Sequence, residues 1–182
     1  MKKEMKPIWD IIVRYLLMIL VGFTNSWIFY VLFTLITIYP VYFLLGLFFN
    51  PSITSNIILV NNIPIEIIGS CIAGSAYYLL LILNLATPGI KIKKRLGIFL
   101  FSFLSLLILN ILRIFILSVM LVSEVSFFDI THKLFWYIGS TLFVVGIWFL
   151  SVKIFKIKEI PFYSDMTFLF KNSKQKKKIR KK

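Results

Sequence analysis

The chain has 182 residues, of which 59% are hydrophobic and 17% aromatic, and its mean hydropathy is +0.92. A soluble domain has about 45–50% apolar residues, so a water-soluble enzyme, a disulfide-stapled secreted module and a disordered chain are excluded. The sequence contains one cysteine and one histidine, which excludes an internal disulfide and the common His/Cys zinc sites. We therefore expect an integral membrane protein without a metal or a cofactor.

The net charge of +14 is concentrated in clusters that lie between or beyond the apolar runs. Basic residues gather near the N-terminus, at residues 91–95 and from Lys153 onward. The positive-inside rule assigns such clusters to the cytoplasmic side, so we expect a multi-pass protein of the cell membrane with both termini in the cytoplasm. Topology and anionic lipid already account for the charge, and we therefore expect no nucleic acid partner.

The first apolar run, residues 11–49, is too long for one ordinary span and short for two. We predict one helix over residues 8–38 that Pro40 ends, because proline lacks an amide donor and restricts the residue before it. Residues 41–49 would then form a short interfacial or re-entrant segment. The alternative is two spans that turn near residues 24–26, which would place the first two basic clusters on opposite sides. The run is also too long for a cleavable signal peptide.

A polar stretch over residues 50–62 follows. Runs of β-branched residues flank Asn61 and Asn62, and asparagine tolerates the positive φ of a tight turn. The pattern predicts a small hairpin on the membrane surface.

Three further spans are predicted, over residues 65–86, 97–122 and 132–152. Pro88 and Gly89 end the first of these, and a short acidic loop separates the last two. The predicted fold class is therefore all-α: a polytopic transmembrane helix bundle of about four spans, or five, with a short extracytoplasmic hairpin before the cysteine-bearing helix.

The sequence predicts one integral membrane domain over residues 1–170 and a polybasic cytoplasmic tail over residues 171–182. Residues 160–170 are rich in Phe and Tyr, so we expect them to lie at the membrane interface next to the tail. The sequence leaves the oligomeric state open.

Three residues are unusual for a lipid environment. Arginine at a helix centre costs ~2.5–3.5 kcal/mol on insertion scales, so Arg113 is a functional candidate. At a rise of about 1.5 Å per residue, Arg113 lies about 24 Å from the inner end of its span. By the same measure Cys71 lies about 9 Å below the outer end of its span, and His132 lies at the outer boundary. Taken singly, they would suit an inert cysteine, a snorkelling arginine and an interfacial histidine. Together they share the outer third of the membrane on three different helices.

These side chains suit acyl transfer. A cysteine is nucleophilic as its thiolate, and a neighbouring cation such as Arg113 favours that form. The thiolate could attack a peptide carbonyl, and Arg113 could then also bind the resulting oxyanion. His132 could accept the thiol proton and return it to the leaving amine. Asn110 lies on the same helical face as Arg113 and could hydrogen-bond the guanidinium or the substrate backbone. We predict Cys71, Arg113 and His132 as the catalytic residues, with Asn110 and Ser75 in support.

Cys71 within residues 67–74, Asn110 three residues before Arg113, and His132 opening the last predicted span together resemble the exosortase/archaeosortase family of membrane transpeptidases. The resemblance covers about residues 57–152. It implies Cys71 as nucleophile, Arg113 as stabiliser and His132 as the third member of an extracytoplasmic site. The family often has a small residue and then glycine after the cysteine, whereas Ile72 and Ala73 follow it here, and many members have more spans.

The resemblance implies a membrane cysteine protease or transpeptidase that cleaves and sorts exported proteins through a thioester. Its substrates would carry a C-terminal signal made of a short motif, an apolar helix and a basic cluster, and the acceptor would be a membrane lipid, an amine or water. The alternative is a small non-enzymatic transport or scaffold protein in which Arg113 binds an anion or a partner.

Overall fold

The computed structural model describes residues 2–23 and 27–179. Most of this part of the chain is helical, with a small antiparallel sheet beside the helices. The elements are α1 (Lys2–Gly22), α2 (Trp27–Gly46), β1 (Ser52–Thr54), β2 (Ile57–Val60), β3 (Ile63–Glu66), α3 (Gly69–Ile72), α4 (Gly74–Leu85), α5 (Ile92–Val122), α6 (Phe128–Leu134), a π-helical turn (Phe135–Gly139), α7 (Ser140–Ile154) and α8 (Tyr163–Ile179). The prediction of a mainly helical fold is confirmed, but the sheet means that the fold is not all-α.

The first apolar run forms two helices, so the predicted single helix over residues 8–38 is wrong. Helix α1 ends at Gly22 and α2 begins at Trp27; residues 24–26 of the predicted turn lie outside the described part of the chain. The proposed end of a helix at Pro40 and a separate segment over residues 41–49 are also wrong, because α2 continues through Pro40 to Gly46.

Burial explains why α2 tolerates its proline. Ile38, Val41 and Leu45 recur at helical spacing and are almost fully buried against the sheet and α5. Proline removes one backbone hydrogen bond, whereas a continuous buried face on both sides of it stabilises the helix through several side chains. The tertiary contacts therefore outweigh the local preference of Pro40.

Contacts along α1 and α2 show that the chain keeps its direction between them. Arg14 contacts the carbonyl oxygen of Leu85 at the end of α4, and the carbonyl oxygen of Met18 accepts a hydrogen bond from Tyr78 in the middle of α4. Phe33 of α2 stacks on Tyr77 at 4.0 Å, and the later part of α2 packs on α3 and the sheet. The two helices thus follow α4 from its C-terminal end to its N-terminal end without reversing. The single predicted helix implied this common direction, whereas the alternative of two spans with a turn between them did not.

The predicted hairpin is confirmed. Strands β2 and β3 pair antiparallel, and Asn61 and Asn62 join them with φ values of 50° and 64°, as a type I′ turn requires. A third strand, β1, pairs with the other side of β2. Ile58 and Val60 are fully buried, so one face of the sheet packs against the helices.

The segment that bears Cys71 is not one span over residues 65–86. Residues 65 and 66 belong to β3, and two helices follow, α3 and α4. Ala73 lies between them with a φ of 58° and a ψ of 39°, a left-handed conformation that costs a non-glycine residue about 1–2 kcal/mol. This break gives Cys71 a short helix of its own.

Three helical stretches within residues 2–23 and 27–179 are long and apolar enough to cross a membrane, judged by length and composition: Phe29–Gly46, Ile92–Val122 and Phe128–Ile154. The apolar helix Gly69–Leu85 is shorter. The predicted span over residues 97–122 is confirmed as a helix, although α5 already begins at Ile92 and includes most of the basic cluster. His132 lies inside the last of these stretches and does not open it.

Helix α4 lies at the centre of the bundle and packs against α1, α2, α5 and α7. At its C-terminal end Arg14 donates to Leu85 and, through both terminal nitrogens, to Asp165 of α8 at 3.0 and 2.9 Å. The amide of Phe162 adds a hydrogen bond to the carbonyl oxygen of Ala86. Helix α8 therefore docks at the end of α4 that lies farthest from Cys71, and it continues past residue 171, where the tail was predicted to begin.

Candidate active site

Helix α5 holds the backbone of Cys71 from one side. The carbonyl oxygen of Cys71 accepts hydrogen bonds from Asn110 Nδ2 at 2.8 Å and from Arg113 Nη2 at 3.3 Å. The two donors lie three residues apart, on one face of α5. Asn110 therefore has the cysteine main chain as its partner, not the guanidinium, and both residues fix the position of the short helix α3.

Arg113 is only 8% exposed. Its Nη1 donates to Ser140 Oγ at 3.0 Å, at the start of α7, while its Nε is buried without a hydrogen-bond partner among the described residues. No carboxylate in the described part of the chain pairs with it, whereas Arg14 pairs with both Asp10 and Asp165. A buried charge without a counter-ion is costly, so Arg113 can be stabilised by an anion that enters the site.

Two cavities meet at Arg113 and Trp136. The smaller, of about 240 Å³, is lined by Cys71, Arg113 and His132 together. The larger, of about 670 Å³, lies on the side of α3 and α4 that carries Ser70 and Ser75. The structure thus brings three predicted catalytic residues to one cavity and places Ser75 in the neighbouring one.

His132 is an exposed side chain held between two aromatic rings. Phe128 stacks on it with ring centroids 5.6 Å apart, and Trp136 meets it edge-on at 6.2 Å. These residues lie one turn before and one turn after His132, on the same face of the helix. Among the described contacts no hydrogen bond joins its imidazole to Cys71 or Arg113, and catalytic hydrogen bonds are often long in the absence of substrate.

The walls of the smaller cavity are mainly apolar. Residues 64–68 form one wall, and the others are formed by Ile114, Leu117, Ser118, Leu121, Phe128, Phe135 and Trp136. The charged and nucleophilic groups therefore face mainly apolar walls, beside which a hydrogen bond to a developing charge is stronger than in bulk solvent.

Sequence reasoning missed Ser140, which orients the Arg113 guanidinium. It lies directly after the π-helical turn Phe135–Gly139, and such turns are frequent at functional sites. The only sequence signal was a hydroxyl inside an apolar run. A serine in such a run is commonly satisfied by its own helix backbone, so its contact with Arg113 requires knowledge of the packing of α5 against α7.

No family model, curated protein or solved structure matches the chain. Within residues 2–23 and 27–179 no group of three or more His, Cys, Asp or Glu side chains is placed to hold a metal ion.

Proposed function

We propose that the chain is a membrane cysteine protease or transpeptidase of the exosortase/archaeosortase type, acting on exported proteins that carry a C-terminal signal. The observation that carries this proposal is the cavity shared by Cys71, Arg113 and His132. Beside the cysteine, the same space is lined by Arg113, a buried arginine without a carboxylate partner among the described residues.

Each residue has a defined role in the proposed reaction. His132 takes the thiol proton, and Cys71 Sγ forms a bond to the substrate carbonyl carbon while the C=O electron pair moves onto oxygen. The C–N bond then breaks, the amine leaves with the proton from His132, and a thioester remains. A lipid hydroxyl, an amine or water attacks the thioester, and its proton returns to the cysteine sulfur through His132.

Arg113 is the proposed donor to the oxyanion. Ser140 and the carbonyl oxygen of Cys71 each accept one hydrogen bond from a terminal nitrogen of Arg113, so the fork is oriented before substrate binds, and each terminal nitrogen keeps a second N–H to donate. Preorganised donors of this kind contribute about 10²–10³-fold to the rate in acyl transfer. An arginine held in this way can stabilise a charge that exists only in the transition state.

The left-handed backbone of Ala73, two residues after Cys71, supports the resemblance to the family. Ala73 stands at the position where the family often has glycine, and its φ is 58°. Glycine adopts that conformation without steric cost. The departure from the family pattern is thus a change of side chain at a position whose backbone suits glycine.

An exposed apolar stripe on α5 supports a membrane location. Leucine or isoleucine recurs at every fourth position and is exposed each time: Leu96, Leu100, Leu104, Ile108, Leu112 and Ile116. From the first to the last of these the helix rises about 30 Å, the thickness of a bilayer hydrocarbon core. Arg113 lies near the end of the stripe away from the basic residues 91–95, which supports an extracytoplasmic site in the cell membrane with both termini in the cytoplasm.

The test is complementation in cells that lack the natural copy. Cys71→Ala should leave exported proteins with C-terminal signals unprocessed, measured as the intact mass of membrane-fraction precursors, while the protein still inserts. Ser70→Ala, which changes the exposed neighbour in the larger cavity, is the matched control and should process normally. Normal processing by Cys71→Ala with loss of function in Arg113→Ala would instead identify the non-enzymatic transport or scaffold role.

A further inference from the structure

The outer edge of β3 lies beside the candidate active site. The sheet order is β1-β2-β3, so in the described part of the chain no strand pairs with β3 on the side away from β2. Such an edge presents main-chain donors and acceptors that can pair with another extended chain.

The register identifies which groups that edge presents. The type I′ turn joins the carbonyl of Val60 to the amide of Ile63, so these two residues form a hydrogen-bonded pair. Bonded and non-bonded pairs alternate along an antiparallel ladder, so Pro64, opposite Leu59, and Glu66, opposite Ile57, are non-bonded pairs. The outer edge therefore offers the carbonyl oxygen of Pro64 and both the N–H and the C=O of Glu66.

Pro64 suits this position, because its missing N–H would point away from β2 and breaks no ladder hydrogen bond. It also shortens the edge to three main-chain groups next to the cavity, which limits indiscriminate pairing with other strands. The main-chain groups that can pair with another strand are thus limited to those of Pro64 and Glu66, on the segment that leads to Cys71.

The edge and the cavity are continuous. Residues 64–68 all line the same cavity of about 240 Å³ as Cys71, Arg113 and His132. Main-chain pairing gives affinity without regard to sequence, and the pockets beside the edge select side chains. With Ile114 and Phe128 in its walls, this cavity favours an apolar side chain.

We propose that the polypeptide substrate binds as an added strand on the outer edge of β3, with an apolar residue in the smaller cavity and its scissile carbonyl at Cys71. This inference rests on the proposed peptidase function and names how that same site holds its substrate. The extended segment hydrogen-bonds to Pro64 and Glu66, which fixes the carbonyl between the Cys71 sulfur and the Arg113 guanidinium.

The test measures alkylation of Cys71 in the full-length protein. One probe is a pool of acetylated tripeptidyl chloromethyl ketones with apolar side chains, and the second is the same pool with N-methylated amides. The Cys71 sulfur displaces chloride from either probe, and iodoacetamide gives a peptide-independent reference rate. The parent pool should react faster than the methylated pool by about fivefold or more, since one main-chain hydrogen bond corresponds to about fivefold.

A second variant locates the pairing. Glu66→Pro removes the outward N–H and should lower the ratio of the peptidyl rate to the iodoacetamide rate by about fivefold. Glu66→Pro also removes the 3.3 Å side-chain contact from Asn56 Nδ2, so Asn56→Ala is the matched control and should keep the unmutated ratio.

The outcomes separate the two proposals. Equal rates with the parent and methylated pools, in a protein whose Cys71 still reacts faster than free glutathione, would overturn strand pairing alone. A Cys71 that reacts no faster than glutathione with either pool would overturn the proposed function and strand pairing with it.

Discussion

Arg113 Nη2 donates to the carbonyl oxygen of Cys71 at 3.3 Å, so the guanidinium and the backbone of the candidate nucleophile form one unit. Asn110 donates to the same oxygen, and Ser140 holds the other end of the fork. Three elements, α3, α5 and α7, therefore fix the distance between the thiol-bearing residue and the only described buried cation without a carboxylate partner. Preorganisation of this kind lowers the reorganisation cost of a reaction that develops negative charge.

Arg113→Ala should reduce processing by about 10²–10³-fold, because it removes the proposed oxyanion donor. Arg113→Lys keeps the charge but loses the planar fork that reaches Ser140 and Cys71 simultaneously, and we expect it to recover only a small part of the rate. The measurement is the single-turnover rate of substrate cleavage in membranes with matched protein levels. A rate for Arg113→Lys equal to that of the unmutated protein would show that only the charge matters.

Asn110→Ala removes the shorter of the two hydrogen bonds to the Cys71 carbonyl oxygen. We expect a loss of about 1 kcal/mol in the free energy of unfolding and a slower reaction of Cys71 with iodoacetamide, because α3 is less well fixed. Ser102→Ala is the control, since Ser102 is a buried α5 residue that bonds to Ser151 away from the cavity. It should lower stability by a similar amount and leave Cys71 reactivity unchanged; equal slowing in both variants would contradict a positioning role for Asn110.

The local signals in the sequence predicted some parts of this fold well. The hairpin followed from Asn61 and Asn62, because few residues other than glycine accept positive φ at both turn positions. Helix α5 followed from a long apolar run. Cys71, Arg113 and His132, which the sequence linked by their depth along three segments, line one cavity.

Other features depend on tertiary contacts that no local pattern carries. The helix through Pro40 is stabilised by a buried face against the sheet. The left-handed conformation of Ala73 could not be predicted either, because alanine rarely adopts a positive φ. The contact between Ser140 and Arg113 needs the packing of α5 on α7. The contacts of α1 and α2 with Tyr78 and Tyr77 likewise need the packing of both helices on α4.

Ala73 provides a test of the backbone after the nucleophile. Ala73→Gly should change the free energy of unfolding by about 1 kcal/mol or less, since relief at positive φ is offset by the loss of a buried methyl group. Ala73→Val should be severely destabilising, because a β-branched residue is a strong outlier at this φ. Thermal unfolding in detergent measures both, and equal effects of the two substitutions would contradict a left-handed residue here.

The buried pair of Arg14 and Asp165 should stabilise the docking of α8. Their side chains are 5% and 4% exposed, and removal of one partner from a buried pair costs about 3–5 kcal/mol. We expect Arg14→Met and Asp165→Leu each to lower the free energy of unfolding by about that amount. The double substitution should recover much of the loss, since it leaves no uncompensated charge; a double variant as unstable as the sum of the single variants would show that the pairing is not what matters.

Membrane sidedness can be tested with the single native cysteine. An impermeant maleimide added to intact cells should label Cys71, because we place the cavity on the extracytoplasmic side. A cysteine introduced as Lys91→Cys in a Cys71→Ser background should be labelled only after the cells are opened, because we propose that the basic cluster at residues 91–95 lies on the cytoplasmic side. Helices α4 and α5 place these two positions at opposite ends of the bundle. Labelling of both positions from the same side of the membrane would contradict the orientation on which the extracytoplasmic site depends.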